Sequence, residues 1–322
     1  MPAVIDPSAI RQAAERIRPH AQRTQVLRSR GIDALAGAKL SFKCENFQRG
    51  GAFKFRGACN AVWSLPDDRA AAGVVTHSSG NHGAALALAA TTRGIPAYVV
   101  VPHDANAAKV AAIRAYGATL HFCEPTLAAR DQAAERIRRE TGAALVHPFT
   151  NHDVIAGQGT ATLELIEDAG AIDALIAPVG GGGLISGSAL AAHSVLPGLP
   201  ILAAEPEGAA DAYESLRRGE RVTDIVPATI CDGLRAAIGP VNFELMREHH
   251  LSILPVSDAE TIAAMRLLWE RMKIIVEPSS ATVLAAVLRY RERFAGKHVG
   301  VILTGGNVDL DHLPWIASTT AN

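Results

Sequence analysis

Short apolar runs alternate with longer helical stretches along most of this 322-residue chain. Between residues 73 and 150 the sequence predicts strands at 74–76, 97–101, 119–122 and 144–147, separated by helices at 84–90, 105–116 and 126–141. The strand at 97–101 is an unbroken apolar run, as expected for a strand that is buried on both faces of a parallel sheet. Because only a few residues connect these units, we predict an α/β fold with parallel, doubly wound sheets.

A second set of alternating elements follows residue 151. Strands are predicted at 174–179, 201–205 and 299–304, and helices at 156–169, 184–194, 262–272 and 279–294. A hydrophobic content of 48% over 322 residues is enough for two lobes. We therefore predict a discontinuous large lobe of residues 1–72 and 151–322 and a small lobe of residues 73–150.

Four consecutive glycines, 180–183, directly follow a predicted strand and precede a predicted helix. A tight turn or a close backbone contact is the simplest explanation. Without Cβ atoms, however, several N–H groups can converge on one anion, and the helix that follows adds its N-terminal dipole. No Gly-Lys-Ser/Thr follows, so the loop is not of the Walker A type. We predict that it binds a phosphate group.

The loop Ser-Ser-Gly-Asn-His-Gly at 78–83 also follows a predicted strand and precedes a helix. Ser and Asn often cap helices, so capping alone is one explanation. Backbone N–H groups at a helix start also suit a substrate carboxylate. In that arrangement Asn81 could donate to a ring oxygen of a cofactor, and the Ser79 hydroxyl could act as an acid or base.

Lys54 lies in the segment Gly-Ala-Phe-Lys-Phe-Arg-Gly, 51–57. Most lysines are solvated surface charges. A buried lysine, however, can provide a neutral amine for a Schiff base. Thr304, at the end of the last predicted strand, would place a neutral hydroxyl beside a pyridine nitrogen, which favours elimination chemistry. Together with the two loops, Lys54 predicts that the chain binds pyridoxal phosphate (PLP).

A candidate cation site follows the predicted strand at 201–205. Glu205, Asp211 and the backbone carbonyl of Ala209 offer oxygen ligands only, which suits Mg²⁺, Mn²⁺ or Ca²⁺ better than zinc. From spacing alone, solvated acids at a helix start explain this segment equally well.

With these motifs identified, the chain resembles the serine/threonine dehydratase group of fold type II PLP enzymes, whose fold is similar to that of the tryptophan synthase β subunit. The resemblance extends from about residue 20 to residue 312, and is greatest to the subgroup of serine racemases and 3-hydroxyaspartate dehydratases. Its motifs are Lys-Cys-Glu-Asn-Phe-Gln (43–48), Ala-Phe-Lys-Phe-Arg-Gly (52–57), Ser-Ser-Gly-Asn-His (78–82), Ala-Gly-Gln-Gly-Thr (156–160), the four glycines, and Gly-Gly-Asn-Val-Asp (305–309).

The resemblance implies a role for each matching residue. Lys54 would be the catalytic Schiff-base lysine, with Ser79 as a second catalytic residue. The implied cofactor contacts are Phe53, Lys54, Asn81, Gly180, Gly181, Gly182, Gly183, Leu184 and Thr304. The predicted substrate contacts are Ser78, Ser79, Gly80, Asn81, His82 and Arg130. A divalent cation, most simply Mg²⁺, would bind at Glu205, Ala209 and Asp211. A 3-hydroxyaspartate substrate would need a further donor for its β-carboxylate, from among Arg130, His82, His147 and Arg235.

Some positions indicate which members of the group the chain resembles most. Ala52 and Ser79 match the subgroup of serine racemases and 3-hydroxyaspartate dehydratases. Ala236 and Phe149 replace a serine and an asparagine of the mammalian serine racemases. Ala84 replaces a glutamine that faces nucleotide in those enzymes, so the resemblance does not extend to activation by ATP.

The resemblance implies a PLP-dependent ammonia-lyase (dehydratase) that converts a β-hydroxy-α-amino acid such as L-serine or L-threonine to a 2-oxo acid and ammonia. The alternatives are a serine racemase with dehydratase side activity, a 3-hydroxyaspartate dehydratase, and a non-catalytic PLP-binding protein. It also implies a homodimer.

Composition adds expectations about partners and compartment. A net charge of −1 and the lack of a long apolar run predict no nucleic-acid or membrane partner. The four cysteines lack metal-ligand spacing, which predicts buried thiols and a cytoplasmic protein.

Overall fold

A computed structural model describes residues 5–105 and 107–316 of the chain. Its strands are β1 (Val26–Leu27), β2 (Lys39–Cys44), β3 (Val74–Thr76), β4 (Ala97–Pro102), β5 (Thr119–Cys123), β6 (Ala144–Leu145), β7 (Ala174–Pro178), β8 (Ile201–Pro206), β9 (Ser252–Val256) and β10 (His298–Leu303). Its helices are α1 (Ser8–Ile17), α2 (Arg30–Ala36), α3 (Lys54–Ser64), α4 (Asp67–Ala70), α5 (Asn81–Arg93), α6 (Ala107–Ala115), α7 (Leu127–Thr141), α8 (His152–Ala169), α9 (Gly183–Val195), α10 (Asp211–Arg218), α11 (Pro240–Glu248), α12 (Asp258–Met272), α13 (Pro278–Arg289) and α14 (Arg291–Phe294). The ends of the predicted large lobe, at 1–4 and 317–322, lie outside the described residues.

The strands form two sheets. One has six strands in the order β1-β2-β10-β7-β8-β9, and the other has four in the order β5-β4-β3-β6. Every pairing is parallel except that of β1 with β2. The six-stranded sheet takes its strands from 26–44 and 174–303, whereas those of the four-stranded sheet lie within 74–145. The predicted α/β class with parallel sheets is therefore confirmed.

Strand β10 lies at the centre of the six-stranded sheet. Its neighbours are β2, which precedes the Lys54 segment, and β7, which precedes the glycine loop. Val301 pairs with Phe42 of β2 on one side and with Ile176 of β7 on the other. In a parallel sheet the carboxyl ends of neighbouring strands lie along one edge, which is where ligands bind in α/β proteins. Thr304, the glycine loop and Glu205 therefore share this edge.

Glycines bring helices α3, α8 and α9 very close together. A Cβ on Gly57 would lie 2.4 Å from the Gln158 side chain, and one on Gly159 would lie 2.5 Å from the Gly187 carbonyl oxygen. Real Cβ atoms do not approach neighbours so closely, so the packing depends on these glycines. The helix that begins at Lys54 is thereby held directly against α8.

Several predicted elements differ from the structure. The single helix predicted at 279–294 is wrong: α13 and α14 are separated at Tyr290, whose φ of −106° and ψ of 41° are not helical. The Tyr290 hydroxyl donates to the Pro255 carbonyl oxygen at 3.0 Å, so a tertiary contact accompanies the break. The predicted helix at 84–90 begins earlier, at Asn81, and β9 was not predicted.

Two expectations from composition can be compared with the structure. Cys44, Cys59 and Cys231 are buried free thiols as predicted, but Cys123 on the edge strand β5 is partly exposed, so the expectation is wrong there. Within residues 5–105 and 107–316, no helix is long and apolar enough to span a membrane.

Candidate active site

Lys54 is the first residue of α3, and its position is fixed by the end of β10. The Phe53 N–H donates to the Thr304 carbonyl oxygen at 2.9 Å, and Ala52 forms an isolated antiparallel bridge with Gly305. The segment before α3 is thus hydrogen-bonded to the segment after β10. Lys54 and Thr304, which are 250 positions apart in sequence, are brought to one place.

The Lys54 amine is in an environment that favours its neutral form. Its Nζ donates to the Pro148 carbonyl oxygen at 3.1 Å and lies 5.1 Å from the centre of the Phe53 ring. Burial lowers the pKa of Lys54 to about 8, although the Glu277 carboxylate acts in the opposite direction. About a tenth of this lysine would therefore be neutral at pH 7, and more at higher pH, as a nucleophile or base requires.

The glycine loop is packed so closely that side chains would not fit. A Cβ on Gly181 would lie 2.5 Å from the Phe149 ring, and Gly182 has a φ of +92°. Among the described residues, no hydrogen bond uses the N–H groups of residues 180–182. These amides and the first turn of α9 form a cradle with unused donors, as phosphate binding requires.

Thr304 completes a site that fits PLP. Its side chain is 3% exposed, and its Oγ1 has no hydrogen-bond partner among the described residues. A buried hydroxyl without a partner costs stability unless a ligand satisfies it. The pyridine nitrogen would be that partner, while the glycine loop would hold the phosphate and Lys54 would meet the aldehyde. Leu184 follows the loop on α9 and is buried.

The loop at 78–83 presents a helix start to open space. Ser78 and Ser79 are partly exposed, and a Cβ on Gly80 would find no atom within 4 Å. Helix α5 begins at Asn81 without a side-chain cap, so the capping explanation is not supported. The first N–H groups of α5 are thus suited to bind a carboxylate.

The His82 side chain faces the protein rather than a ligand. Its Nε2 lies 3.3 Å from the Val146 carbonyl oxygen, and its Nδ1 is buried without a partner. Burial first, and then the charge of Lys54, lower its pKa well below the ordinary value, so the ring is neutral. With Nε2 donating to Val146, Nδ1 carries no proton, and only the backbone of His82 can donate to an anion.

Glu277 is a functional-site residue that the sequence did not reveal. Asn81 donates from Nδ2 to both of its carboxylate oxygens, at 3.0 and 3.1 Å, and accepts from Asn307 Nδ2 at 3.0 Å. Burial raises the pKa of Glu277, whereas the hydrogen bond from Asn81 lowers it. The two oxygens of one carboxylate lie on the same side of Nδ2 and share one of its hydrogens, so Glu277 orients the Asn81 amide and leaves the other hydrogen for a cofactor oxygen. The only local signal was a glutamate before Pro278 at a helix start.

The segment 147–150 forms a further wall that was predicted only as the end of a strand. His147 Nδ1 accepts from the N–H groups of Phe149 and Thr150 at 3.4 and 3.2 Å. Burial first, and then the nearby His77 and Lys54, lower the pKa of His147 to about 4. Since Pro148 accepts from Lys54 and Phe149 touches the glycine loop, this segment joins the two halves of the cofactor site.

Of the four residues considered for a β-carboxylate, Arg130 is the best placed. It lies on α7, its Nε is buried without a partner, and its charge contributes to the lowered pKa of His77, for which burial is the main cause. It forms no salt bridge with any described residue. Arg235 instead donates from Nε and Nη2 to the Thr229 carbonyl oxygen, at 3.1 and 2.7 Å. His82 and His147 are neutral.

Glu205, Ala209 and Asp211 lie together and are buried. Glu205 accepts from the N–H groups of Ala212 and Tyr213, and its pKa is raised well above normal by burial and by the Asp211 carboxylate. Burial raises the pKa of Asp211 to about 6, and its Oδ1 has no hydrogen-bond partner among the described residues. Two repelling carboxylates with an unused oxygen fit a divalent cation, although they form no group of three acidic, His or Cys ligands within the described chain.

Most of the chain is similar to known proteins. Residues 17–305 match the family model of pyridoxal-phosphate dependent enzymes. The chain is 49% identical to the beta-hydroxyaspartate dehydratase of Paracoccus denitrificans over 303 residues, which cover 94% of this chain and 96% of that protein. It is 48% identical to the serine racemase of Dictyostelium discoideum over 308 residues, covering 94% and 95%.

Among solved structures, maize serine racemase superposes with a TM-score of 0.94 at 45% identity, covering 96% of this chain and 95% of that one. The predicted relationship to PLP-dependent ammonia-lyases and racemases is confirmed. A chain with this fold, these relatives and a lysine beside a glycine cradle belongs to the pyridoxal-phosphate dependent enzymes.

Proposed function

We propose that this enzyme is an ammonia-lyase that acts on β-hydroxy-α-amino acids, with 3-hydroxyaspartate as its preferred substrate and L-serine or L-threonine as smaller alternatives. The observation that carries the choice of substrate is the Arg130 guanidinium, which lies near the substrate loop without a carboxylate partner among the described residues. A relative that is 49% identical has a name that specifies beta-hydroxyaspartate.

In the proposed reaction, different residues of the chain have different roles. PLP supplies an aldehyde that takes up the substrate amine and a ring that withdraws electrons from Cα. The first N–H groups of α5 bind the α-carboxylate, and the neutral Lys54 amine removes the Cα proton. The neutral Thr304 hydroxyl would donate to the ring nitrogen, which would then carry no proton, and this would favour elimination. The β-hydroxyl would leave as water with the proton that Lys54 takes from Cα. For 3-hydroxyaspartate the products after hydrolysis are oxaloacetate and ammonia.

Replacing Arg130 tests the substrate assignment. We expect Arg130→Met to raise the KM for 3-hydroxyaspartate about 100-fold, because a charge-assisted contact to the β-carboxylate is lost. The kcat/KM for L-serine, which has no β-carboxylate, should change by less than about threefold. Ammonia and 2-oxo acid release should be measured with L-serine, D-serine, L-threonine and each 3-hydroxyaspartate isomer.

Arg136→Met is the matched control, since this exposed arginine lies on the same helix and faces Glu140. It should leave both substrates unaffected. An equal loss with serine and with 3-hydroxyaspartate in Arg130→Met would contradict binding of the β-carboxylate at Arg130. A wild-type enzyme that releases no ammonia from any of these substrates would contradict the lyase assignment itself.

Serine racemisation is a second candidate function. Ser79 lies in the loop before α5, its side chain is partly exposed, and it has no hydrogen bond within the described residues. A hydroxyl that reaches Cα from the side opposite Lys54 could return a proton there and invert the centre. Several relatives that are about half identical to this chain carry the name serine racemase.

We also propose a divalent-cation site at Glu205, Asp211 and the carbonyl oxygen of Ala209. Burial raises the pKa values of both carboxyl groups, and the Asp211 carboxylate raises that of Glu205 further. A cation such as Mg²⁺ would remove this repulsion and satisfy the unused Asp211 oxygen.

This cation site predicts a specific dependence of stability on pH. Because folding raises the pKa of Asp211 from 3.8 to about 6, the folded chain holds protons that the unfolded chain releases. Without metal, stability should therefore fall as pH rises between these two values. At about pH 7.5, saturating Mg²⁺ should raise the melting temperature by about 4 °C relative to EDTA, and at about pH 4.5 by much less.

Asp211→Asn should abolish the Mg²⁺ response and remove the part of the pH-dependent loss that Asp211 contributes, while the part due to the buried Glu205 stays. Glu207→Gln is the matched control, since Glu207 lies in the same loop but is exposed and pairs with Arg289. Equal melting temperatures with Mg²⁺ and with EDTA near neutral pH would contradict a cation site.

We propose that residues 73–150 form a small lobe and that residues 1–72 and 151–322 form a large lobe. The small lobe would close over the substrate, because the loop at 78–83 and Arg130 belong to the part with the four-stranded sheet.

We propose a homodimer, supported by the exposed apolar residues Phe47 and Ile275. The four free thiols support a reducing, cytoplasmic location.

A further inference from the structure

Arg56, two residues after the active-site lysine, is fully buried and fully paired. Its Nε and Nη2 donate to the two carboxylate oxygens of Glu45 at 2.7 and 2.8 Å, and its Nη1 and Nη2 donate to those of Glu164 at 2.8 and 2.7 Å. Weaker bonds reach Thr160 Oγ1 and the Gln22 carbonyl oxygen, each at 3.2 Å. The planar guanidinium thus bridges two carboxylates, a geometry that lysine cannot reproduce.

Lys54 and Arg56 project from opposite sides of the same helical turn. Two residues on an α-helix are separated by about 200° around its axis. Lys54 reaches the cofactor site, so Arg56 points to the rear of the turn, where Glu45 follows β2 and Glu164 lies on α8. The first turn of α3 is thereby fixed from behind to both a strand of the central sheet and a long helix.

The cluster around Arg56 also includes Lys43 of β2. Lys43 donates to Glu164 at 2.6 Å and to the Thr24 carbonyl oxygen at 2.7 Å from the β2 side. Although burial acts to raise it, the neighbouring Arg56 and Lys43 hold the pKa of Glu164 below its ordinary value. Arg56 is the member of the cluster that belongs to α3, so it alone connects these charges to the turn that carries Lys54.

We infer that Arg56 is a positioning residue, which holds the first turn of α3 so that the Lys54 amine meets the cofactor aldehyde. This inference rests on the role of Lys54 in the proposed function. A displacement of about 1 Å at a reacting group can reduce a rate about 100-fold even when the altered residue touches no substrate. The effect should appear in cofactor retention and in the spectrum of the bound cofactor, as well as in turnover.

Arg56→Lys and Lys43→Met separate positioning from stability. In Arg56→Lys we expect the Kd for PLP to rise about tenfold, the absorption band of the lysine-bound cofactor to weaken, and kcat to fall with a KM within about twofold of wild type. Lys43→Met perturbs the same cluster from β2. It should lower the melting temperature of the cofactor-free protein while its PLP Kd and absorption band stay at wild-type values.

The possible results distinguish the role of Arg56 from that of Lys54. A wild-type Kd and absorption band in Arg56→Lys, or an equal change in Lys43→Met, would overturn the positioning role. A wild-type protein that shows no lysine-bound cofactor band would instead refute the role of Lys54. If Arg56→Lys does not fold, Glu45→Gln serves, because it keeps the shape of the partner and removes its charge. It should raise the PLP Kd above that of Lys43→Met, and equal values would again overturn the role.

Discussion

Lys54→Ala is expected to reduce ammonia release by about 1000-fold or more, because the variant loses both the amine that attaches the cofactor and the base for the Cα proton. Burial lowers the pKa of Lys54 to about 8, so the wild-type amine is partly neutral at working pH. The absorption band of the lysine-bound cofactor should disappear in the same protein. Turnover and the spectrum of the purified variant, reconstituted with PLP, provide the measurement.

Lys54→Arg tests whether the reaction needs an amine that can be neutral or only a positive charge at this position. Arginine retains a cation near Glu277 but stays protonated, since its pKa exceeds about 12. We therefore expect it to be as inactive as Lys54→Ala. Lys297→Ala is a suitable control, because the side chain of this exposed lysine donates to the Arg293 carbonyl oxygen, which is not among the predicted site residues. A Lys54→Ala protein that retained both turnover and the absorption band would refute the assignment.

The features that could be predicted from the sequence are those whose cause is local. The apolar run of β4 and the glycines before α9 each specify a strand or a turn within a few residues, and the structure contains both. The position of Thr304 at the end of β10 follows from the same strand-and-loop logic. These elements determine the α/β class and the cofactor edge of the sheet.

The features that could not be predicted depend on contacts between distant segments. Asn81 and Glu277 are 196 residues apart, and only the fold shows that the carboxylate orients the amide. The His147 tautomer likewise follows from two backbone N–H groups whose direction the sequence does not specify. The break at Tyr290 accompanies a hydrogen bond to the Pro255 carbonyl oxygen, 35 residues away, which no helical pattern reveals.

Ser79→Ala should separate racemisation from elimination. Racemisation requires one group to remove the Cα proton and another to return it from the opposite face, whereas elimination requires only the first. If Ser79 is the second group, the variant should form D-serine from L-serine about 100-fold more slowly, the loss expected for a general acid. Ammonia release should stay within about fivefold of wild type, because Lys54 still removes the proton.

Exchange of the Cα proton with solvent deuterium provides a second measurement on the same variant. In D₂O the Ser79→Ala enzyme should still incorporate deuterium into recovered L-serine, because Lys54 can remove and return a proton on its own face. Ser194→Ala is the control: this hydroxyl on α9 is not among the predicted site residues and donates to the Ala191 carbonyl oxygen at 2.7 Å, so both activities should change little. Unchanged D-serine formation in Ser79→Ala would exclude Ser79 as the second acid. Loss of deuterium incorporation as well would show that the substitution impairs Lys54, and a selective role for Ser79 would then be refuted.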